Sequence, residues 1–308
     1  MTPRMKLREL CCNRRICSPA SCAMMVLLII SSCKGATDYP ALRDSMDNEL
    51  QNQLMAELRS ELPVGEAEQI IKAKRVSAVV VDITQLERPR VAAINGDSML
   101  YAASLPKIAI LAAAFIDIDN GRLKLDDELR RHMTLMIRES SNQSANWVLH
   151  RVGIERVNQI MQSDKYRLYD PKYGGGLWVG RDYGGGNVWK RDPVNGISHG
   201  ASAMQVARLY YLLLTGRLVS KESMQNMLEI LSASDINHKF VAGLSGENPD
   251  AVIFRKSGTW KHFHADSGIV VDKNYQYIVV SIIEHEAGEE ILERGIGVVD
   301  EVIEETEE

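Results

Sequence analysis

The spacing of apolar residues changes several times along the chain, and each change marks a predicted element. Residues 23–30 are an unbroken apolar run of eight, preceded by a basic stretch and followed by Ser31-Ser32-Cys33. That run is too short to cross a bilayer core, which takes about 20 residues of helix. Between 40 and 74, Leu50, Leu54 and Leu58 recur at every fourth position until Pro63, which predicts one amphipathic helix or two. Residues 77–84 and 90–95 read as strands. Glu87-Arg88-Pro89 joins them and Asn95-Gly96 closes the second, so together they predict an antiparallel hairpin.

Residues 107–119 are apolar almost all round, with no polar side chain from Ile108 to Ile116, so the predicted helix should be buried centrally. More helices are expected to about 162. Periodicity then fades over 163–200, where glycine, tyrosine and tryptophan accumulate and Tyr173-Gly-Gly-Gly176 is echoed by Tyr183-Gly-Gly-Gly186. An aperiodic stretch of that length inside a compact domain marks a functional loop. Helical spacing returns at Val206, Leu209, Tyr210 and Leu213, and strands are predicted at 251–257, 265–272 and 275–284, with a last helix over 288–304. Strands at both ends with helices between predict an α/β fold of α+β type in two lobes. An antiparallel sheet built from both chain ends is flanked by helices, and an all-helical lobe is inserted.

Composition narrows the chemistry. All five cysteines (Cys11, Cys12, Cys17, Cys22, Cys33) fall in the first 33 of 308 residues. A disulfide framework, a zinc–cysteine site or a cysteine nucleophile in the body of the chain is thereby excluded. Five basic residues against Glu9 give residues 1–32 a charge of +4, leaving −9 of the net −5 for the rest. An acidic body without a long basic run argues against nucleic acid as a partner.

The basic stretch, short apolar run and small residues before Cys33 have the form of a secretory signal. Ile30-Ser-Ser-Cys33 resembles the lipobox of bacterial lipoproteins, which implies cleavage before Cys33 and its lipidation. Residues 1–32 are therefore expected to be a signal peptide, 33–40 a lipidated tether and 41–308 the catalytic domain. Its sheet lobe is expected over about 65–100 and 217–308, and its helical lobe over about 101–216. The expected location is the periplasm, anchored to a membrane, the outer one included, through lipid only; a plain cleaved signal is the alternative.

Three short motifs carry candidate chemistry. Ser104-Leu-Pro-Lys107 opens the buried helix, where residues three apart share a face and free N–H groups favour developing negative charge. A desolvated lysine there is able to take the proton of a serine hydroxyl, which is otherwise a weak nucleophile. Ser140-Ser-Asn142 follows 36 residues later, and Lys256-Ser-Gly-Thr259 a further 116 on, at the end of a strand. Each alone also reads as ordinary structure: a capped helix, a polar loop, a strand entering a turn.

As an ordered triple on this frame, the motifs resemble the active-site set of penicillin-binding proteins and class A serine β-lactamases, S-x-x-K, S-x-N and K-T/S-G. The resemblance covers roughly 65–305. It implies Ser104 as the acylated nucleophile, Lys107 as its proton acceptor, and Ser140 with Lys256 delivering a proton to the departing nitrogen. It implies substrate binding by Asn142, Ser257, Gly258 and Thr259, with the N–H groups of Ser104 and Thr259 as an oxyanion hole. The substrate would be a β-lactam or a peptidoglycan stem peptide, with no cofactor and no metal, on a monomer.

One departure stands out. Class A β-lactamases carry a glutamate on the Ω loop that activates the deacylating water, yet no glutamate occurs between Glu155 and Glu222. Asp170, Asp182, His199, His264 and Asp266 are the candidate substitutes, and deacylation is expected to be slow. A D,D-peptidase, an esterase and a cell-wall sensor without turnover are the alternatives. Two other motifs are weaker: Gly196-Ile-Ser-His-Gly200 lacks the hydrophobic strand that a hydrolase elbow needs, and His262-Phe-His264-Ala-Asp266 is followed by a single later histidine, His285, with Ser267 where a ligand histidine would be needed.

Overall fold

The computed structural model describes residues 39–62, 65–185 and 190–306. The expected signal peptide and Cys33 lie outside them. In chain order the elements are α1 (Asn48–Glu61), α2 (Ala67–Lys72), β1 (Val76–Asp82), β2 (Arg90–Ile94), β3 (Met99–Tyr101), α3 (Lys107–Asp119), α4 (Asp127–Arg138), α5 (Asn142–Val152) and α6 (Ile154–Gln162). There follow β4 (Tyr169–Asp170), β5 (Gly175–Gly176), β6 (Trp178–Val179), β7 (His199–Ser202), α7 (Ala203–Leu214), α8 (Lys221–Leu231), α9 (Phe240–Glu247), β8 (Val252–Trp260), β9 (Phe263–Val271), β10 (Gln276–Glu284) and α10 (Gly288–Glu305).

Five strands form an antiparallel sheet in the order β2-β1-β10-β9-β8. The sheet therefore joins the two ends of the chain, as its strand pattern predicts. Every residue of β1 is buried, which its sequence VSAVVVD permits because the sheet is covered on both faces. Val76, Ala78 and Val80 pack with Leu54, Ile296 and Val299 of α1 and α10, while Val79 and Val81 belong to the core shared with the helical lobe. The alternation follows from the period of two in a strand.

Helix α3 is buried from Lys107 to Asp117 and runs through the helical lobe, so its first turn is delivered to the boundary with the sheet. Its last buried charge, Asp117, is held by Arg156 at 2.8 Å. Helix α8 packs on α3, α4 and β8, because Met224, Met227, Leu228 and Leu231 turn their apolar side to that core. Within the aperiodic stretch, the described residues include three two-residue strands, β4, β5 and β6. Strand β6 is pinned by Asn158, whose side-chain amide donates to the carbonyl of Val179 at 2.6 Å and accepts from its N–H at 3.1 Å. Asp192 organises the return, accepting from Ile197 N at 2.6 Å, Asn195 N at 2.9 Å and Tyr169 Oη at 3.0 Å.

Candidate active site

The three motifs, distant in sequence, meet where the helical lobe faces the edge strand β8. Ser104 lies in the turn that leads into α3, with Lys107 N donating to its carbonyl at 3.2 Å. The residue before it, Ala103, has φ +48°, and Ser140 has φ +55°. Left-handed backbone at non-glycine residues is uncommon and clusters at functional sites. Ser140 ends the turn between α4 and α5, and Ser141 caps α5 by accepting from Ser144 N at 3.2 Å, which sets Asn142 on the first turn.

Two lysines converge on the Ser140 hydroxyl. Lys256 Nζ donates to Ser140 Oγ at 2.9 Å and to its neighbour's carbonyl, Ser257 O, at 2.7 Å. Lys107 Nζ donates to Ser140 O at 2.6 Å and to Asn142 Oδ1 at 2.8 Å, with Ser140 Oγ at 3.4 Å. Both lysines are buried. Desolvation lowers the pKa of Lys107 to about 7, and it lowers that of Lys256 well below the ordinary value, helped by the charge of Lys107. A lysine with a pKa near 7 holds a substantial neutral fraction at physiological pH, which is what a proton acceptor needs.

Ser104 is partly exposed, and its hydroxyl has no hydrogen bond among the described residues. That hydroxyl is thus unengaged and accessible. Strand β8 lies close beside it: a Cβ on Gly258 would sit 2.8 Å from Ser104 N and 2.3 Å from Ala102 O. Only glycine admits that approach, which brings the Ser104 amide and the end of β8 side by side. From behind, Ser267 Oγ donates to Lys256 O at 3.0 Å and Tyr210 Oη lies 2.9 Å from Ser267 Oγ, which fixes the strand that carries Lys256.

A family model described as the beta-lactamase enzyme family matches residues 65–133 and 128–297. The chain belongs to the beta-lactamase enzyme family. Among solved structures it is similar to a mutant of PBP-A in an acyl-enzyme complex with penicillin G, at 20% identity and a TM-score of 0.64 over 86% of this chain and 99% of that one. A β-lactamase from Sphaerobacter thermophilus matches at 20% identity and a TM-score of 0.65 over 82% and 97% of the two chains. One from Chitinophaga pinensis matches at 17% and 0.62 over 84% and 99%. These likenesses establish the shared fold. No curated protein matches.

In this β-lactamase-family site, the acid and histidine substitutes expected from the sequence are placed elsewhere. Asp266 is fully buried in a bidentate pair with Arg255, at 2.9 Å to Nε and 2.7 Å to Nη2, so its charge is committed to the sheet. His264 pairs with Thr259 and Asp266 with Ser257, and paired residues share a face. Both therefore lie on the face opposite Lys256, where His264 packs against Gly288 of α10. Asp170 caps the turn after β4, accepting from Lys172 N at 3.0 Å. Asp182 bonds the exposed His150 at 2.9 Å. The His199 ring lies tilted against Tyr183, and burial lowers its pKa to about 4.

Sequence reasoning missed two residues. Tyr183 places its ring against the Lys107 ammonium, 4.6 Å from Nζ to the ring centroid. Lys239, fully buried, donates to Thr259 Oγ1 at 2.7 Å and Gly258 O at 2.9 Å. The tyrosine before a glycine run was a visible signal for the first; nothing in the sequence marks the second.

Proposed function

We propose that the chain is a serine acyl-enzyme hydrolase that β-lactams acylate on Ser104, with hydrolysis of the β-lactam amide limited by slow deacylation. The observation that carries this reading is the convergence of Lys107 and Lys256 on Ser140 beside an unencumbered Ser104 hydroxyl. In the forward step, neutral Lys107 takes the Ser104 proton as Oγ attacks the lactam carbonyl. The negative charge that develops on the carbonyl oxygen is received by the N–H groups of Ser104 and Thr259; such a donor is worth about 3–4 kcal/mol in other enzymes. Ser140 then gives its proton to the departing nitrogen and is itself re-protonated across the contact with Lys256. Asn142 binds the substrate side-chain amide, Lys256 attracts the substrate carboxylate, and the backbone of Ser257, Gly258 and Thr259 runs alongside the bound substrate.

Slow deacylation is supported by the surroundings of Lys107. Its partners are Ser140, Asn142 and Tyr183, and none of them is a carboxylate able to activate water. Incubation with a chromogenic cephalosporin, followed by colour and by intact mass, tests the reading with Ser104→Ala as control. A persistent adduct on the wild type, absent from Ser104→Ala, is expected. Rapid continuous turnover would assign an efficient lactamase instead, and an adduct surviving Ser104→Ala would overturn the nucleophile.

The same reading includes export and anchoring through a lipid on Cys33, with a β-lactam or a peptidoglycan stem peptide as partner and the monomer as working unit. Labelling by a palmitate analogue that persists in Cys33→Ser would refute the anchor.

A further inference from the structure

We propose that Tyr183 sets the lifetime of the acyl-enzyme, its ring sealing the side of Lys107 from which a hydrolytic water would have to approach. This inference rests on the function proposed above. Lys107 Nζ has three N–H groups. Ser140 O and Asn142 Oδ1 take two at 2.6 and 2.8 Å, Ser140 Oγ is the nearest acceptor for the third at 3.4 Å, and the Tyr183 ring covers what remains, its centroid 4.6 Å away. A cation over an aromatic face is stabilised without water, so the ring satisfies the ammonium and keeps it dry together.

The ring is held in place from three directions. The Asn146 side chain clamps the Tyr183 backbone, accepting from its N–H at 2.8 Å and donating to its carbonyl at 3.0 Å. The His199 ring lies behind it with centroids 4.2 Å apart. Gly184 follows directly over Asn142, where a Cβ would lie 3.4 Å from the amide nitrogen. Among the described residues, the titratable groups facing Lys107 are Lys256 from β8, His199 from β7 and Tyr183 itself, and no carboxylate is among them. The Tyr183 hydroxyl is buried with no hydrogen-bond partner among the described residues. It touches no proton relay, which assigns the effect to the ring.

Opening the ring position would let neutral Lys107 act on water. The water oxygen forms a bond to the ester carbonyl, its proton passes to Lys107 Nζ, the bond from the acyl carbon to Ser104 Oγ breaks, and Oγ recovers that proton. Free acid and free serine result.

The test measures loss of the penicillin G adduct by intact mass in the whole chain for wild type, Tyr183→Phe and Tyr183→Ala. Tyr183→Ala is expected to acylate and then to lose its adduct about 10²-fold faster, the lower end of what a positioned general base supplies. Its loss rate should rise with pH, with a midpoint above 7 because Lys107 is rehydrated. Tyr183→Phe, which restores the ring, should bring back the long-lived adduct. Equal lifetimes in wild type and Tyr183→Ala would refute the inference alone, and so would a Tyr183→Phe that behaves like Tyr183→Ala. If Tyr183→Ala fails to acylate, Tyr183→Leu, which restores bulk without an aromatic face, decides in the same way. Absence of any adduct on the wild type overturns the proposed function and this inference with it.

Discussion

The Lys256 ammonium and the Ser140 hydroxyl, 116 positions apart in the chain, stand 2.9 Å from one another at the boundary of the two lobes. That single contact joins the edge of the sheet to the turn between α4 and α5. Ser140→Ala removes the hydroxyl on which both lysines converge. Acylation by a chromogenic cephalosporin is expected to slow by about 10²–10⁴-fold, the usual range for a positioned proton donor, while any adduct still forms on Ser104. Stopped-flow acylation rates check it, and a loss under about threefold would remove Ser140 from the proton path.

Acylation should depend on pH through Lys107. Its pKa is lowered from 10.5 to about 7 by burial, so the neutral, proton-accepting form grows as pH rises. The acylation rate constant is expected to climb through a midpoint near that value and level off above it. A flat profile between pH 6 and 9 would mean that another group takes the proton.

The same shift makes Lys107 a burden on stability. Between its folded pKa near 7 and its unfolded pKa near 10.5, the unfolded chain holds a proton that the folded chain lacks, so stability rises with pH in that window. Measured against Lys107→Met, the wild type should gain about 1.4 kcal/mol per pH unit between 7 and 10, read by urea unfolding. No change in the difference would contradict a neutral buried lysine.

Gly258 sets how closely β8 approaches Ser104. Gly258→Ala places a methyl 2.3 Å from Ala102 O and 2.8 Å from the backbone nitrogens of Ser104 and Leu105, all of them atoms of the main chain. Overpacking of this kind costs about 1–3 kcal/mol. Adduct formation with penicillin G should be lost while the protein remains folded by circular dichroism. A fully acylating Gly258→Ala would show that the pocket opens more readily than this contact allows.

Asp266 should matter for folding and not for turnover. Arg255 bonds it twice and also reaches Ile236 O at 2.6 Å and His238 O at 3.0 Å, tying the segment before α9 to the sheet. Asp266→Asn leaves a buried guanidinium without its counter-charge, and breaking such a pair costs about 3–5 kcal/mol. A lower melting temperature with an unchanged adduct lifetime is expected; a changed lifetime would restore Asp266 as a candidate base.

The parts of the site that were legible in the sequence are those with local signals. Pro106 marks the first turn of α3, Ser141 is a cap, and Lys256-Ser-Gly stands on a strand with clear apolar spacing. The uniform apolarity of 107–119 likewise placed α3 at the centre. What escaped depends on register and on contacts across the loop. Alternation along β9 decides that His264 and Asp266 turn away from Lys256, and that requires knowing their pairing with Thr259 and Ser257. Tyr183 reaches Lys107 only because Asn146, 37 positions earlier, holds its backbone. Two-residue strands such as β5 and β6 are too short to show any period.

Strand β1 is flanked by β2 on one side and by β10 on the other, with Val76 opposite Ile283. Pairings between such distant parts of a chain form slowly, because the intervening loop must close first. A growing polypeptide therefore has Ser104 and Lys107 long before it has Lys256, and β8 becomes an edge of the sheet only once β9 and β10 bridge it to β1. Under the function proposed above, reactivity toward an acylating agent would be gained only once β8, β9 and β10 are in place, so the appearance of adduct during refolding would serve as a clock for closure of the sheet.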